Sequence, residues 1–235
     1  MTADGFPQDV QELQDLLRRP VETQRFRALA TADVEVPIWF LGSSTFGAQL
    51  AGELGLAVAF ASHFAPASLV ATLDIYRKRF RPSRRLAALH AMVGVNIIAA
   101  ESAPEARHRT TTQQMSFTNL LRGAQGLSYP PIDDIDTYWT AAERARTQHM
   151  LGKSIVGSRE TVVAGIRDLA SRTRADRLIV ACDVYSHAAR RRSVEIVADT
   201  VRGKEGEQTG TRIDFADRTA LAARRGAVRQ APADA

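Results

Sequence analysis

The chain has a single cysteine, Cys182, in 235 residues. A lone thiol excludes an internal disulfide framework and a cysteine-rich zinc site, so no metal is expected, and it suits a reducing compartment, which points to the cytoplasm. No apolar run reaches the roughly 18 residues needed to cross a bilayer. The opening MTADGFPQDV lacks the basic start and apolar stretch of a secretory leader, so no membrane association is expected. Also missing are the three spaced glycines of a dinucleotide fingerprint and the glycine-lysine loop of nucleotide triphosphatases.

What remains is ample for a core: 45% of the residues are apolar and 24% charged, the balance of a globular domain. The length falls slightly short of the roughly 250 residues of a complete (β/α)8 barrel. The net charge of +5 and a pI near 9.9 raise the question of nucleic acid, since clustered arginines displace counterions from phosphates. The densest basic groups are Arg77 to Arg81, Arg84-Arg85 and Arg190 to Arg192. They lie in expected helices beside acidic residues, which is the pattern of a solvated helix face, and no nucleic-acid partner is expected.

Periodicity gives the order of elements. Val10, Leu13, Leu16 and Leu17 mark one face of an opening helix, which Pro20 ends. Pro37 to Leu41 is a short continuous apolar run, read as a buried strand. Phe46, Leu50 and Leu54 repeat at intervals of four, and Gly55 is placed to close that helix in the left-handed conformation. The rhythm continues with a strand at Ala57–Ala61, a helix from Pro66 to about Phe80, a strand at His90–Ile98 and a helix from about Pro104 towards Leu121. An irregular insertion over 123–136 follows, then a helix from Thr140 to Leu151. Ser158 opens another helix, Arg177–Cys182 is the fourth strand, and Ser186 begins the last helix, through Val201. Residues 202–235 turn to Gly, Ala, Arg, Asp and Gln, the composition of a mobile tail. Four strands alternating with helices pair in parallel, so the class is α/β. Four such units cannot close an eight-stranded barrel.

The segment most informative about chemistry is Leu41-Gly42-Ser43-Ser44-Thr45-Phe46-Gly47-Ala48, where a strand ends and a helix begins. Free amides of the first helical turn, the helix dipole and the serine hydroxyls suit an anion there, and Gly42 and Gly47 let the backbone approach a phosphate. An ordinary serine N-cap accounts for the same residues. Both readings stand on spacing alone.

Pro37 to Ser44, continuing into Gly47-Ala48-Gln49-Leu50-Ala51 and Gly55 to Phe64, resembles the luciferase-like flavin-dependent oxidoreductases. Ile155-Val156-Gly157-Ser158 and Val180 to Arg190 agree with the same family. The resemblance spans about residues 6 to 201 and matches the C-terminal half of the family's barrel. It implies a partial (β/α)8 barrel over residues 1–201, with the N-terminal half missing. It further implies a monooxygenase that uses reduced FMN, or in some relatives a deazaflavin, with O2 and a small organic substrate, the flavin being supplied by a separate reductase.

Carried over, Ser43, Ser44 and the Gly47 amide hold the FMN phosphate and Gly42 permits the turn. His63, at the carboxyl end of a strand, becomes a candidate catalytic residue. A histidine hydrogen-bonded at a loop start is the plainer reading, just as Asp183 caps and His187 pairs with it in the plainer reading of the last loop. Half a barrel leaves strand edges and an apolar layer uncovered, so association of like chains is expected. A non-catalytic flavin-binding or interaction protein is the alternative function.

Overall fold

A computed structural model describes residues 5–17, 36–124 and 128–202. The expected tail beyond residue 202 and part of the 123–136 insertion lie outside these residues. The strands are β1 (Trp39–Gly42), β2 (Ala57–Phe60), β3 (Ala91–Ala99), β4 (Ile155–Gly157) and β5 (Arg177–Ala181). The helices are α1 (Phe6–Leu16), α2 (Thr45–Glu53), α3 (Leu69–Arg79), α4 (Ala103–Leu121), α5 (Ala141–Met150), α6 (Arg159–Thr173) and α7 (His187–Arg202). The described residues divide into two compact units. One comprises those up to Phe60 with Ala71–Ala91, the other Ala61–Val70 with those from Met92 onward.

In the first unit β1 and β2 run parallel in the register Trp39↔Ala57 to Gly42↔Phe60. The α2 crossover between them packs on both. All four residues of β2 are buried, as expected of a parallel strand covered on both faces. Leu54 and Gly55 end α2, and Gly55 has φ +61°, the left-handed cap expected from the spacing of Leu54 and Gly55. Tyr76 of α3 is wholly buried; its hydroxyl donates to the Leu56 carbonyl at 2.9 Å and accepts from the His90 N–H at 3.2 Å. Arg85 holds α1 in place: its guanidinium donates to the carbonyls of Val36, Gln14 and Leu17, each at 3.1 Å. Two of those carbonyls belong to the last turn of α1 and its cap, where helix carbonyls lack intrahelical partners.

In the second unit β3 has two partners, pairing with β4 in the register Ile97↔Ile155 to Ala99↔Gly157 and with β5 in the register Met92↔Arg177 to Asn96↔Ala181. Both pairings are parallel. Strand β4 is the difference from the expected four. It has three residues, too few to show a period, and it exists because β3 extends past the end of β5 and offers it an edge. α4 packs on α5 and β4, and α6 on β4 and α7. Helix starts follow local chemistry. Thr140 and Glu143 form a reciprocal capping box on α5, and Ser102 accepts from the Glu105 N–H at 3.3 Å on α4. Ser158 occupies the cap position of α6 without bonding its backbone; its hydroxyl donates instead to Glu160 at 2.7 Å. The class is α/β, parallel strands alternating with helices.

Candidate functional site

The turn singled out by sequence joins β1 to α2. Ser44 has extended backbone angles, and its Oγ accepts from the Gly47 N–H at 3.5 Å. That distance is the long limit for such a bond, so the amide a phosphate would use is only loosely engaged. Ser43, Ser44, Thr45 and Phe46 are exposed. No acidic residue stands in the first turn of α2 to compete for its amides or oppose an anion. A Cβ on Gly42 would meet nothing within 4 Å among the described residues, and one on Gly47 would meet the Phe40 ring at 3.5 Å and Ser44 Oγ at 4.0 Å. Gly42 does not use a positive φ; what its lack of a side chain leaves is open space beside the turn. The residues present therefore fit a phosphate group.

His63 lies in the second unit, after the end of β2. Its loop is fastened to β3 twice: the Ser62 hydroxyl donates to the Gly94 carbonyl, and the Asn96 side-chain amide donates to the His63 carbonyl at 3.4 Å. The imidazole packs against Phe64 with ring centroids 4.4 Å apart, and Phe64 stacks on Phe117 of α4 at 6.1 Å and 29°. Burial pushes the His63 imidazole below its ordinary value, and the Gly94 backbone pulls more weakly the other way. The Nδ1 atom is buried and meets no partner at hydrogen-bond geometry among the described residues. The ring is thus biased to its neutral form, the state in which histidine can accept a proton or a hydrogen bond.

Asp183 and His187 do not form an ion pair among the described residues, and it is Ser186 Oγ that accepts from the Ala189 N–H at 3.4 Å at the head of α7. The Cys182 thiol is pushed up by burial, against a contact with Ser193. Several arginines of the basic groups meet carboxylates: Arg77 with Asp74, Arg79 with Glu53 and Arg192 with Glu101. Among the described residues no group of His, Cys, Asp and Glu could hold a metal ion, and no helix is long and apolar enough to cross a membrane. Asn96 and Phe117 were missed by sequence reasoning. For Asn96 a signal existed, a lone amide inside the apolar run Ala91–Ala99; for Phe117 there was none, because only folding brings it to Phe64.

The family model for luciferase-like monooxygenase matches residues 7–177. The chain is 40% identical over 204 residues to the Bacillus subtilis (strain 168) protein YvbT, covering 86% of this chain and 61% of that protein. It is also 40% identical over 196 residues to an Escherichia coli (strain K12) protein described as a luciferase-like monooxygenase, covering 83% and 58%. Among solved structures, apo-MsnO8 superimposes with a TM-score of 0.71 at 22% identity, covering 84% of this chain and 60% of that one, a likeness of fold. The chain thus spans about three fifths of the length of the curated relatives it matches. On the match over residues 7–177, the chain belongs to the luciferase-like monooxygenase family.

Proposed function

We propose that residues 1–201 are the flavin-binding portion of a flavin-dependent monooxygenase, with the FMN phosphate seated at Gly42, Ser43, Ser44 and Gly47. The observation that carries this is the exposed β1–α2 turn, with two exposed serine hydroxyls, a loosely held Gly47 amide at 3.5 Å and no carboxylate in the first turn. When bound, reduced flavin supplies the electrons for O2 chemistry on a small organic substrate. The protein's share is to bind, orient and exclude water. Ser43 and Ser44 would donate to phosphate oxygens. His63, held by Asn96 and biased to its neutral form, is the candidate for taking up a proton from the substrate. A separate reductase would supply the flavin, in a reducing, cytoplasmic compartment.

A second reading, a flavin-binding protein without turnover, is favoured by the apolar surface left open on the outer strands. Leu41 of β1 is 71% exposed and Ile179 of β5 is 48% exposed, whereas parallel strands are ordinarily covered on both faces. The same surfaces support association of like chains.

Fluorescence titration with FMN, and with a deazaflavin in parallel, tests the site, with elution size recorded. Ser44→Ala removes both the cap and a phosphate donor, Ser43→Ala only the donor. Each is expected to weaken FMN by about 1.5–3 kcal/mol, roughly ten- to hundred-fold in Kd. Unchanged binding in both variants would sink the assignment. FMN binding without turnover in the presence of a reductase and O2 selects the second reading.

A further inference from the structure

Local bonding leaves the Gly47 amide loosely held. It lies at the third position of α2, counting from the Ser44 cap, where a helix N–H has no intrahelical acceptor. Its bond within the turn is the 3.5 Å contact to Ser44 Oγ. Glycine also has the greatest backbone freedom of any residue. An amide that is to donate to an anion must nevertheless keep its direction, because hydrogen bonds weaken steeply off line.

What steadies it is an aromatic ring. Adjacent residues of a strand point to opposite faces, and β1 follows this rule: Leu41 is 71% exposed, whereas Phe40 is 9% exposed and lies towards α2, which packs on β1. A Cβ built on Gly47 would lie 3.5 Å from Phe40 Cδ1 and 3.8 Å from Cε1. These are ordinary van der Waals distances, so the bare side of Gly47 faces the ring. The same ring is met by Phe6, the first residue of α1, at 5.7 Å between centroids and 78°, the edge-to-face geometry that aromatic pairs favour. Helix α1 is itself tied down at its other end, where Arg85 donates to the carbonyls of Gln14 and Leu17.

We infer that Phe40 is a positioning residue for the anion site and that Phe6 holds the Phe40 ring in place. Neither ring need touch the ligand. Phe40 fixes the direction of the Gly47 amide, and the docking of α1 through Phe6 fixes Phe40. The inference rests on the phosphate assignment given above and adds to it two apolar residues that hydrogen bonding alone does not single out. Its effect falls on the phosphate end of the flavin. Riboflavin has the ring system and ribityl chain of FMN without the phosphate, so the ratio of the two affinities isolates what the turn contributes.

The experiment is a fluorescence titration of the full 235-residue chain with FMN and with riboflavin, in the wild type, Phe6→Ala, Phe6→Tyr and Phe40→Leu, with Tm recorded for each. The wild type is expected to prefer FMN. Phe6→Ala removes the edge contact at a residue that is 39% exposed, and should narrow that preference about two- to ten-fold, the worth of one aromatic pair. Phe6→Tyr keeps the ring and should keep the wild-type ratio. Phe40→Leu should narrow the preference at least as far as Phe6→Ala. Lost packing with a merely structural role lowers Tm and acts on both flavins alike, leaving the ratio where it was. A wild-type preference for FMN that stays unaltered in Phe6→Ala or Phe40→Leu, or that narrows as much in Phe6→Tyr as in Phe6→Ala, overturns the inference alone. Equal affinity of the wild type for the two flavins, or binding of neither, overturns the phosphate assignment and the inference with it.

Discussion

Two glycines with almost the same backbone angle allow a conformational cost to be separated from a steric one. Gly55 has φ +61° and Gly123 has φ +70°, and each follows the last turn of a helix. A left-handed L-residue costs about 1–2 kcal/mol, and the loss of unfolded-state freedom on Gly→Ala is common to both sites and cancels. At Gly123 a new Cβ meets nothing within 4 Å among the described residues; at Gly55 it would lie 2.5 Å from the Arg81 carbonyl oxygen and 2.6 Å from Ser83 Cβ. The first of these is backbone and cannot swing aside. Relief requires residues 81–83 to move, which strains the Ser83 Oγ to Gly55 carbonyl bond at 2.8 Å and the Arg81 N–H to Gly52 carbonyl bond at 2.9 Å, each worth about 1 kcal/mol. Gly123→Ala should therefore cost about 1–2 kcal/mol and Gly55→Ala about 3–4 kcal/mol. Urea denaturation followed by circular dichroism measures both, the difference appearing as a lower midpoint at unchanged slope. Equal losses in the two variants would refute the steric argument, and with it the view that the α2–β2 turn is seated against the 81–83 segment.

Arg85→Met should release α1 by removing three hydrogen bonds to carbonyls, at about 1–3 kcal/mol given the half-buried position; faster amide exchange confined to α1 is the expected signature, and unchanged exchange contradicts it. The Arg122 hydrogen bond, with help from the Thr140 backbone, holds the Glu143 carboxyl down to about 2. A lowered carboxyl stabilises the fold above its unfolded value and ceases to do so as pH falls towards the folded one. The stability gap between the wild type and Glu143→Gln should thus be full at pH 7 and close between about pH 4.5 and 2. Thermal melts across that range check the sign, and a gap that widens on acidification would be the wrong one.

Much of the fold was readable because it depends on neighbours in sequence. The left-handed Gly55, the short strand at Trp39–Gly42 and the proline-led start of α4 are each set within one or two turns of chain. What could not be read depends on distant partners. Strand β4 has three residues and forms only because β3 overhangs β5. The exposure of β5 follows from what is packed on it, since Arg-Leu-Ile-Val-Ala reads the same whether its faces are covered or open.

The candidate residues of each unit divide along the same line. Ser44 at the head of α2 was legible as a cap, and the structure gives it that role with a bond long enough, at 3.5 Å, for an anion to replace. The α4 face was not legible at all. Thr110-Thr111-Thr112-Gln113-Gln114 reads as a polar run destined for solvent, yet the first four of these are buried. The threonines are admitted because they satisfy themselves locally: Thr110 donates to the Ala106 carbonyl and Thr118, about two turns further on, to the Gln114 carbonyl, each at 2.8 Å. A glutamine amide is too long to fold back in that way at so little cost, so Gln113 is buried by the company it keeps and Oε1 is left without a donor. Helical threonines thus account for burial without function, and the same local device is not open to Gln113, whose Oε1 is buried with no hydrogen-bond partner among the described residues.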